Sequence, residues 1–429
     1  IIGMIVLIAK IQMEASFYIS NSGSRNLGYI YDRNGDIIFD DNAENGQYPD
    51  GYFKDLGNLI GDASGQMTNT LVAKNIEKLS NYSFTSGITY KGGKAAIYST
   101  LSHEANEKVY SAFGDKDGCA IAYNYKTGEI LVCVSRPSVD PLKGYEDLAE
   151  GSLLCKAFYK TVPGSTQKIA TLISAVETMG MDALMEKSFT CNGVYTNNTG
   201  LDIVCHNEYG HGTQNIREAF ANSCNPFFAQ LVEDSGWSLA NIEDCYKKLG
   251  YSVNGSEETE FSINGIISAK ASTTLEDKNE FNTQWSCIGQ GTSLVSPCQL
   301  MMWQSAIANE SGKSTMPYLI DHVTNVNGRT VENASTNYSE QLFSSQTASE
   351  VKDIMLENGL NYTGKIPGYT LGIKSGTAQV KDGKEENSLL TGFVDDKDFP
   401  IAFAILIENR ESYDVSTEYI ASVILDSLS

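Results

Sequence analysis

At 429 residues the chain is long enough to bury a sizeable core and to hold more than one domain. Its 41% apolar and 20% charged residues, with no low-complexity tract and no internal repeat, exclude a disordered chain. The net charge of −22, with no basic cluster to neutralise phosphates, excludes a nucleic-acid partner and mainly signals solubility and self-repulsion.

Residues 1–9 are almost wholly apolar and are followed by Lys10. A bilayer span needs roughly 20 residues, so segment 1–13 reads as the outer end of a truncated membrane anchor, with a buried N-terminal strand as the alternative. Residues 14–92 are rich in Gly, Asn, Asp and Tyr and form a small irregular N-terminal domain. Within it, Asn34-Gly35 between short apolar runs signals a hairpin, and a helix is expected near 69–78. The pattern over 94–113 is helical. Residues 119–135 are two apolar strands around a Lys126-Thr127-Gly128 turn. Helices with polar loops dominate 165–310. Strands return at 369–378, 388–394 and 401–407, and an amphipathic helix closes the chain at 416–428. A sheet assembled from both ends of the 93–429 region around a helical block is an α+β arrangement.

The cysteine count is nine, scattered rather than framed for disulfides. Cys191 and Cys205 flank a polar, hairpin-like stretch and are the best candidate pair. Together with His206 and His211 they could be read as a zinc site, but the spacing matches no common finger, so no metal is expected. The remaining thiols read as buried small hydrophobes.

The run from Pro163 to Thr171 carries Ser165-x-x-Lys168. Residues three apart share a helix face, so Lys168 can direct its amine at the Ser165 hydroxyl, a poor nucleophile without a base in reach. Pro163-Gly164 favours a turn. Ile169, Leu172, Ile173 and Val176 form an apolar stripe behind it, which places Ser165 at the positive end of a buried helix. Two more motifs follow in order: Ser223-Cys224-Asn225 and Lys374-Ser375-Gly376-Thr377. Ser223 and Asn225 sit between the helical stretch 216–221 and Pro226, where a hydroxyl can relay protons and an amide can hold Lys168 and a substrate amide. Lys374 to Thr377 continues an apolar strand, Gly376 allows a substrate to approach the backbone, and Lys374 with the hydroxyls suits a carboxylate. The backbone N–H groups of Ser165 and Thr377 could form an oxyanion hole. Each motif alone is weak. Ser349 to Lys352 spells the first again, but as a capped amphipathic helix, and Lys126 to Gly128 spells the third, but as a hairpin turn.

The three motifs in this order resemble the penicilloyl-serine transferases, that is, penicillin-binding proteins and serine β-lactamases. The long gap before Lys374 is more similar to the transpeptidases. The segments 29–35, 126–131, Gly289-Gln290-Gly291 with Ser296-Pro297, and Gly392-Phe393 with Ile401-Ala402 resemble class B, monofunctional penicillin-binding proteins of the PbpA and FtsI kind. Cys224 within the second motif and Cys155, where asparagine is common, are modest departures. No second enzyme core fits in the first ~100 residues, which excludes a glycosyltransferase domain there.

The resemblance implies a penicillin-binding fold, with a central antiparallel sheet flanked by helices. It implies D,D-transpeptidation of peptidoglycan stem peptides through a Ser165 acyl-enzyme, β-lactams as inhibitors, and no cofactor. In these roles Lys168 is the base, kept neutral by burial and neighbouring positive charge. Ser223 and Asn225 relay and position, and Lys374, Ser375, Gly376 and Thr377 bind substrate. A cell-membrane location with an extracytoplasmic catalytic domain is implied, as is a membrane glycosyltransferase partner of the shape, elongation, division and sporulation type. Hydrolytic readings (a D,D-carboxypeptidase or a β-lactamase) and a non-catalytic penicillin sensor or division scaffold stay open at this point.

Overall fold

The computed structural model describes residues 27–41, 54–80, 82–83, 87–88, 93–140, 143–255, 259–381, 383–409 and 415–429. The anchor end expected at 1–13 lies outside the described residues. Among the described residues no helix is long and apolar enough to cross a membrane.

The architecture is set by strands that are apolar on both faces. Five antiparallel strands form the main sheet in the order Leu371–Val380, Glu385–Val394, Ile401–Ile407, Gly118–Asn124, Ile130–Arg136. Side chains alternate across it with period two. Ala120, Ala122, Val132 and Val134 enter one core, while Cys119, Ile121, Tyr123 and Cys133 enter the other. The first core is closed by helices His103–Ala112 and Thr417–Leu428, through Ala105, Val109, Ile420, Ile424 and Leu425. The second takes the helix Pro297–Ala308, whose residues are all buried, with Gln299, Gln304 and Ser305 hydrogen-bonded to backbone carbonyls. Helices on both faces of one antiparallel sheet give the α+β arrangement that the sequence predicts.

A second five-stranded sheet runs Thr330–Asn333, Ile320–Thr324, Ala96–Ser99, Tyr29–Tyr31, Ile37–Asp40. The Asn34-Gly35 hairpin is present there, with Gly35 at φ +92°. Residues 94–113 are not one helix. Ala96–Ser99 is a strand held between Tyr29–Tyr31 (parallel) and Ile320–Thr324 (antiparallel), and the helix begins only at His103. Ser102 caps that helix by accepting from the Ala105 N–H. Pairing on both edges outweighs the helical pattern of a four-residue stretch. The helix expected near 69–78 runs Leu71–Ser80.

Candidate active site

Ser165 lies in a 3₁₀ turn, Gly164–Gln167, that runs directly into the helix Lys168–Met179. In a 3₁₀ turn, residues i and i+3 eclipse one another. Lys168 therefore stands over Ser165, with its Nζ 2.6 Å from Ser165 Oγ. The same amine donates to Asn225 Oδ1 at 2.8 Å. Lys168 is wholly buried, and its ammonium would sit 5.7 Å from the centre of the Phe228 ring. Burial, and then the charge of Lys374, hold this amine well below the ordinary lysine range. An amine whose pKa is lowered in this way, at hydrogen-bond distance from a serine hydroxyl, has the geometry to accept its proton.

The second motif is a sharp connection between helices Ile216–Ala221 and Asn225–Glu233. Ser223 adopts φ +52°, a left-handed conformation costly for a residue with a Cβ. This turns its hydroxyl to accept from Lys374 Nζ at 2.9 Å. Asn225, at the start of the next helix, donates from Nδ2 to the Val204 carbonyl at 3.0 Å and so keeps Oδ1 for Lys168.

The third motif lies on the main-sheet edge strand Leu371–Val380. Lys374 is 1% exposed and also donates to the Ser375 carbonyl. Burial pushes its amine down to about 7. Gly376 lets the strand press on the nucleophile turn: a Cβ there would meet Pro163 O at 2.9 Å and Thr166 N at 3.0 Å. Gly164 closes the same contact from the other side, with Thr377 O 2.4 Å from where its Cβ would be.

All eight residues singled out in the sequence thus converge. Ser165, Ser223, Asn225, Ser375, Gly376 and Thr377 line one cleft of about 670 Å³, with Lys168 and Lys374 beneath it. The look-alike motifs do not join them. Lys352 pairs with Glu310 and Asp395, and Lys126-Thr127-Gly128 is a turn capped by Asn124.

Sequence reasoning missed several contributors. Phe281, Trp285 and Gln290 line the cleft from the helix Phe281–Ile288 and its C-terminal turn. Gln290 Nε2 reaches the Thr377 carbonyl at 3.4 Å. Tyr362 donates to Ser375 Oγ at 2.8 Å. Only Gln290 carried a signal, the Gly-Gln-Gly segment.

The thiols also differ from expectation. Cys191 and Cys205 are free, not bridged. The group that gathers is Cys191, Cys205, His211 and Cys224, with donor atoms all within 4.8 Å of one another. Cys224 takes the place given to His206, which lines the cleft instead, its Nδ1 4.0 Å from Cys205 Sγ. Sequence spacing could not find the set, because Cys224 comes from a different helix connection. Hydrogen bonding from Cys224 lowers the Cys205 thiol pKa, and the same contact raises that of Cys224.

A family model described as the penicillin binding protein transpeptidase domain matches residues 118–426. Stage V sporulation protein D of Bacillus subtilis (strain 168) is 30% identical over 330 residues, covering 72% of this chain and 48% of that protein. Peptidoglycan D,D-transpeptidase PbpA of Mycolicibacterium smegmatis is 25% identical over 352 residues, covering 76% of this chain and 69% of its own length. Among solved structures, the D,D-transpeptidase domain of a peptidoglycan glycosyltransferase from Eggerthella lenta aligns with a TM-score of 0.77 at 21% identity, covering 94% of this chain and 97% of that one. The penicillin G acyl-enzyme complex of penicillin-binding protein A from M. tuberculosis aligns with a TM-score of 0.78 at 19% identity, covering 94% and 99%. The chain spans about half the length of the Bacillus relative.

Proposed function

Because this chain belongs to the penicillin-binding protein transpeptidase family, we propose that it is a serine acyltransferase that cross-links peptidoglycan stem peptides. The observation that carries this reading is the buried Lys168 set between Ser165 Oγ and Asn225, its amine held well below the ordinary lysine range by burial and by Lys374.

Lys168 Nζ takes the Ser165 proton as Oγ forms a bond to the carbonyl carbon of the penultimate D-Ala. The resulting oxyanion is met by the backbone N–H groups of Ser165 and Thr377. Collapse breaks the C–N bond. The departing D-Ala amine takes its proton through the Ser223 hydroxyl, which Lys374 holds in place. Lys374 and Thr377 bind the terminal carboxylate. A stem-peptide amine then attacks the ester, passes its proton back along the same path, and frees Ser165. A β-lactam follows the first half alone: its ring amide opens on Ser165 and leaves a penicilloyl ester. The relatives named as D,D-transpeptidases and the acyl-enzyme complexes support this reading.

With a substrate outside the cytoplasm, the chain works on the outer face of the membrane, beside a membrane glycosyltransferase that makes the glycan strands. Of its two regions, 14–92 serves as a pedestal and 93–429 as the catalytic unit.

The test follows a fluorescent penicillin adduct, then supplies a D-Ala-D-Ala pentapeptide with a free amine acceptor. The expected result is an adduct lasting many minutes and an acceptor-linked product. Loss of the adduct within seconds contradicts the proposal in favour of a β-lactamase, and peptide hydrolysis without transfer in favour of a carboxypeptidase. Full complementation of a deletion strain by Ser165→Ala would leave only a scaffold.

A further inference from the structure

We propose that Cys191, Cys205, Cys224 and His211 form a tetrahedral zinc site that clamps the Ser223-Cys224-Asn225 turn. The four come from separate elements. Cys191 ends the strand Phe189–Cys191, and Cys205 follows the strand Asp202–Val204. His211 precedes the strand Gly212–Gln214, and Cys224 caps the helix Asn225–Glu233. Backbone hydrogen bonds fix the approach: His211 N–H donates to Cys191 O, and Cys205 N–H to Gly193 O.

Zinc with thiolate and imidazole ligands at about 2.3 and 2.0–2.1 Å places tetrahedral donors about 3.6–3.8 Å apart. Cys205 Sγ and His211 Nδ1 are already 3.5 Å apart, and the whole set needs only a small contraction from its 4.8 Å limit. The three sulfurs are buried and His211 is half-buried, which gives a dry site with one open approach. Among the described residues no other three or more His, Cys, Asp or Glu side chains gather this closely. Buried thiols as mere hydrophobes explain the chain's six other cysteines. They do not explain three thiols and an imidazole converging on one point.

Binding is balanced by proton release. Three S–H groups lose their protons to solvent, three Zn–S bonds and one Zn–N bond form, and neutral His211 keeps its other ring proton. Three sulfurs and one nitrogen are a soft set that suits zinc over magnesium or calcium.

The consequence for the active site is geometric. Cys224 stands between Ser223 and Asn225, and Cys205 follows Val204, whose carbonyl accepts from Asn225. A metal joining the two sulfurs ties the ribbon to the catalytic turn and holds Ser223 in its left-handed conformation. The metal-holding residues are positioning residues, and of the four only Cys205 also borders the cleft.

The test is metal analysis of the full chain after reduction, loading with zinc sulfate and removal of free ion. One zinc per chain is expected, with X-ray absorption giving three sulfurs at about 2.3 Å and one nitrogen. Cobalt substitution should give the absorption of a tetrahedral thiolate site without need of any variant. Cys191→Ser with His211→Ala should abolish stoichiometric binding, whereas His211→Cys should retain it. Zinc-free chain should label with penicillin about tenfold more slowly, and His211→Cys, but not His211→Ala, should restore the zinc-loaded rate. A wild-type chain that takes up no zinc overturns the site, as does zinc retained by the double variant or a disulfide among the three cysteines in the loaded protein. An unchanged labelling rate in the zinc-free chain overturns the clamp. Metal content reads the same whether or not the chain cross-links stem peptides, so the two proposals fail separately.

Discussion

Lys168 has one amine and two neighbours, and the division between them decides its chemistry. Asn225 Oδ1 fixes one N–H, which leaves the lone pair for the Ser165 proton. Lys168→Met keeps the length of the side chain and removes the base, so penicillin acylation should fall by about 10²–10⁴ in stopped-flow labelling, with the fold retained. The pH dependence has a definite sign. Acylation needs neutral Lys168, so the rate should rise with pH through that group's lowered pKa and vanish on acidification. The charge of Lys374 is part of what lowers it. Lys374→Met should therefore move the rising limb to higher pH, and a limb that stays in place or moves down contradicts the assignment. Ser349→Ala, in the look-alike motif, should leave the labelling rate unchanged.

The nucleophile turn is held from two directions, by the edge strand Leu371–Val380 and by the bend after helix Phe281–Ile288. Gly289 has φ +106°, and a Cβ there would stand 1.7 Å from the Gly164 carbonyl. Gly289→Ala must push that turn away from Thr377 or fail to close the bend. We expect a lower melting temperature and slower penicillin labelling together, and a variant with both unchanged would show that the contact does not set the site. At this scale the sequence was readable where a local pattern and its tertiary setting agree. The strands 118–136 and 371–407 announce themselves by apolar alternation and turn residues, and the last helix by its stripe. The strand Ala96–Ser99 is hidden because its partners lie nearly 70 residues before it and over 200 after it. Of the thiol and imidazole cluster, Cys191, Cys205 and His211 were visible in the sequence, whereas Cys224 was not, because it sits in the separate turn before the helix Asn225–Glu233. Ser165-x-x-Lys168 was legible, but only the 3₁₀ turn explains why the two side chains eclipse.

Across the molecule, two buried lysines make stability depend on pH. Lys374 is pushed down to about 7 against an ordinary 10.5. Between those values the unfolded chain binds a proton that the folded chain does not, so stability should rise with pH across the window. Below about 7 the full cost remains. Thermal unfolding should shift upward by on the order of a few degrees from pH 7 to 9, and the shift should shrink in Lys374→Met. The overall fold was foreseeable as a sheet built from both chain ends with helices on its faces. The second sheet was not, because its five strands are gathered from residues 29 to 333. Everything in the fold that bears on chemistry converges on one hydroxyl. The most direct test is intact-mass analysis after penicillin G, with the modified residue mapped by proteolysis. The account predicts one penicilloyl group per chain, on Ser165, and none in Ser165→Ala. Label on Ser223 or Ser349, or label that persists in Ser165→Ala, would contradict it.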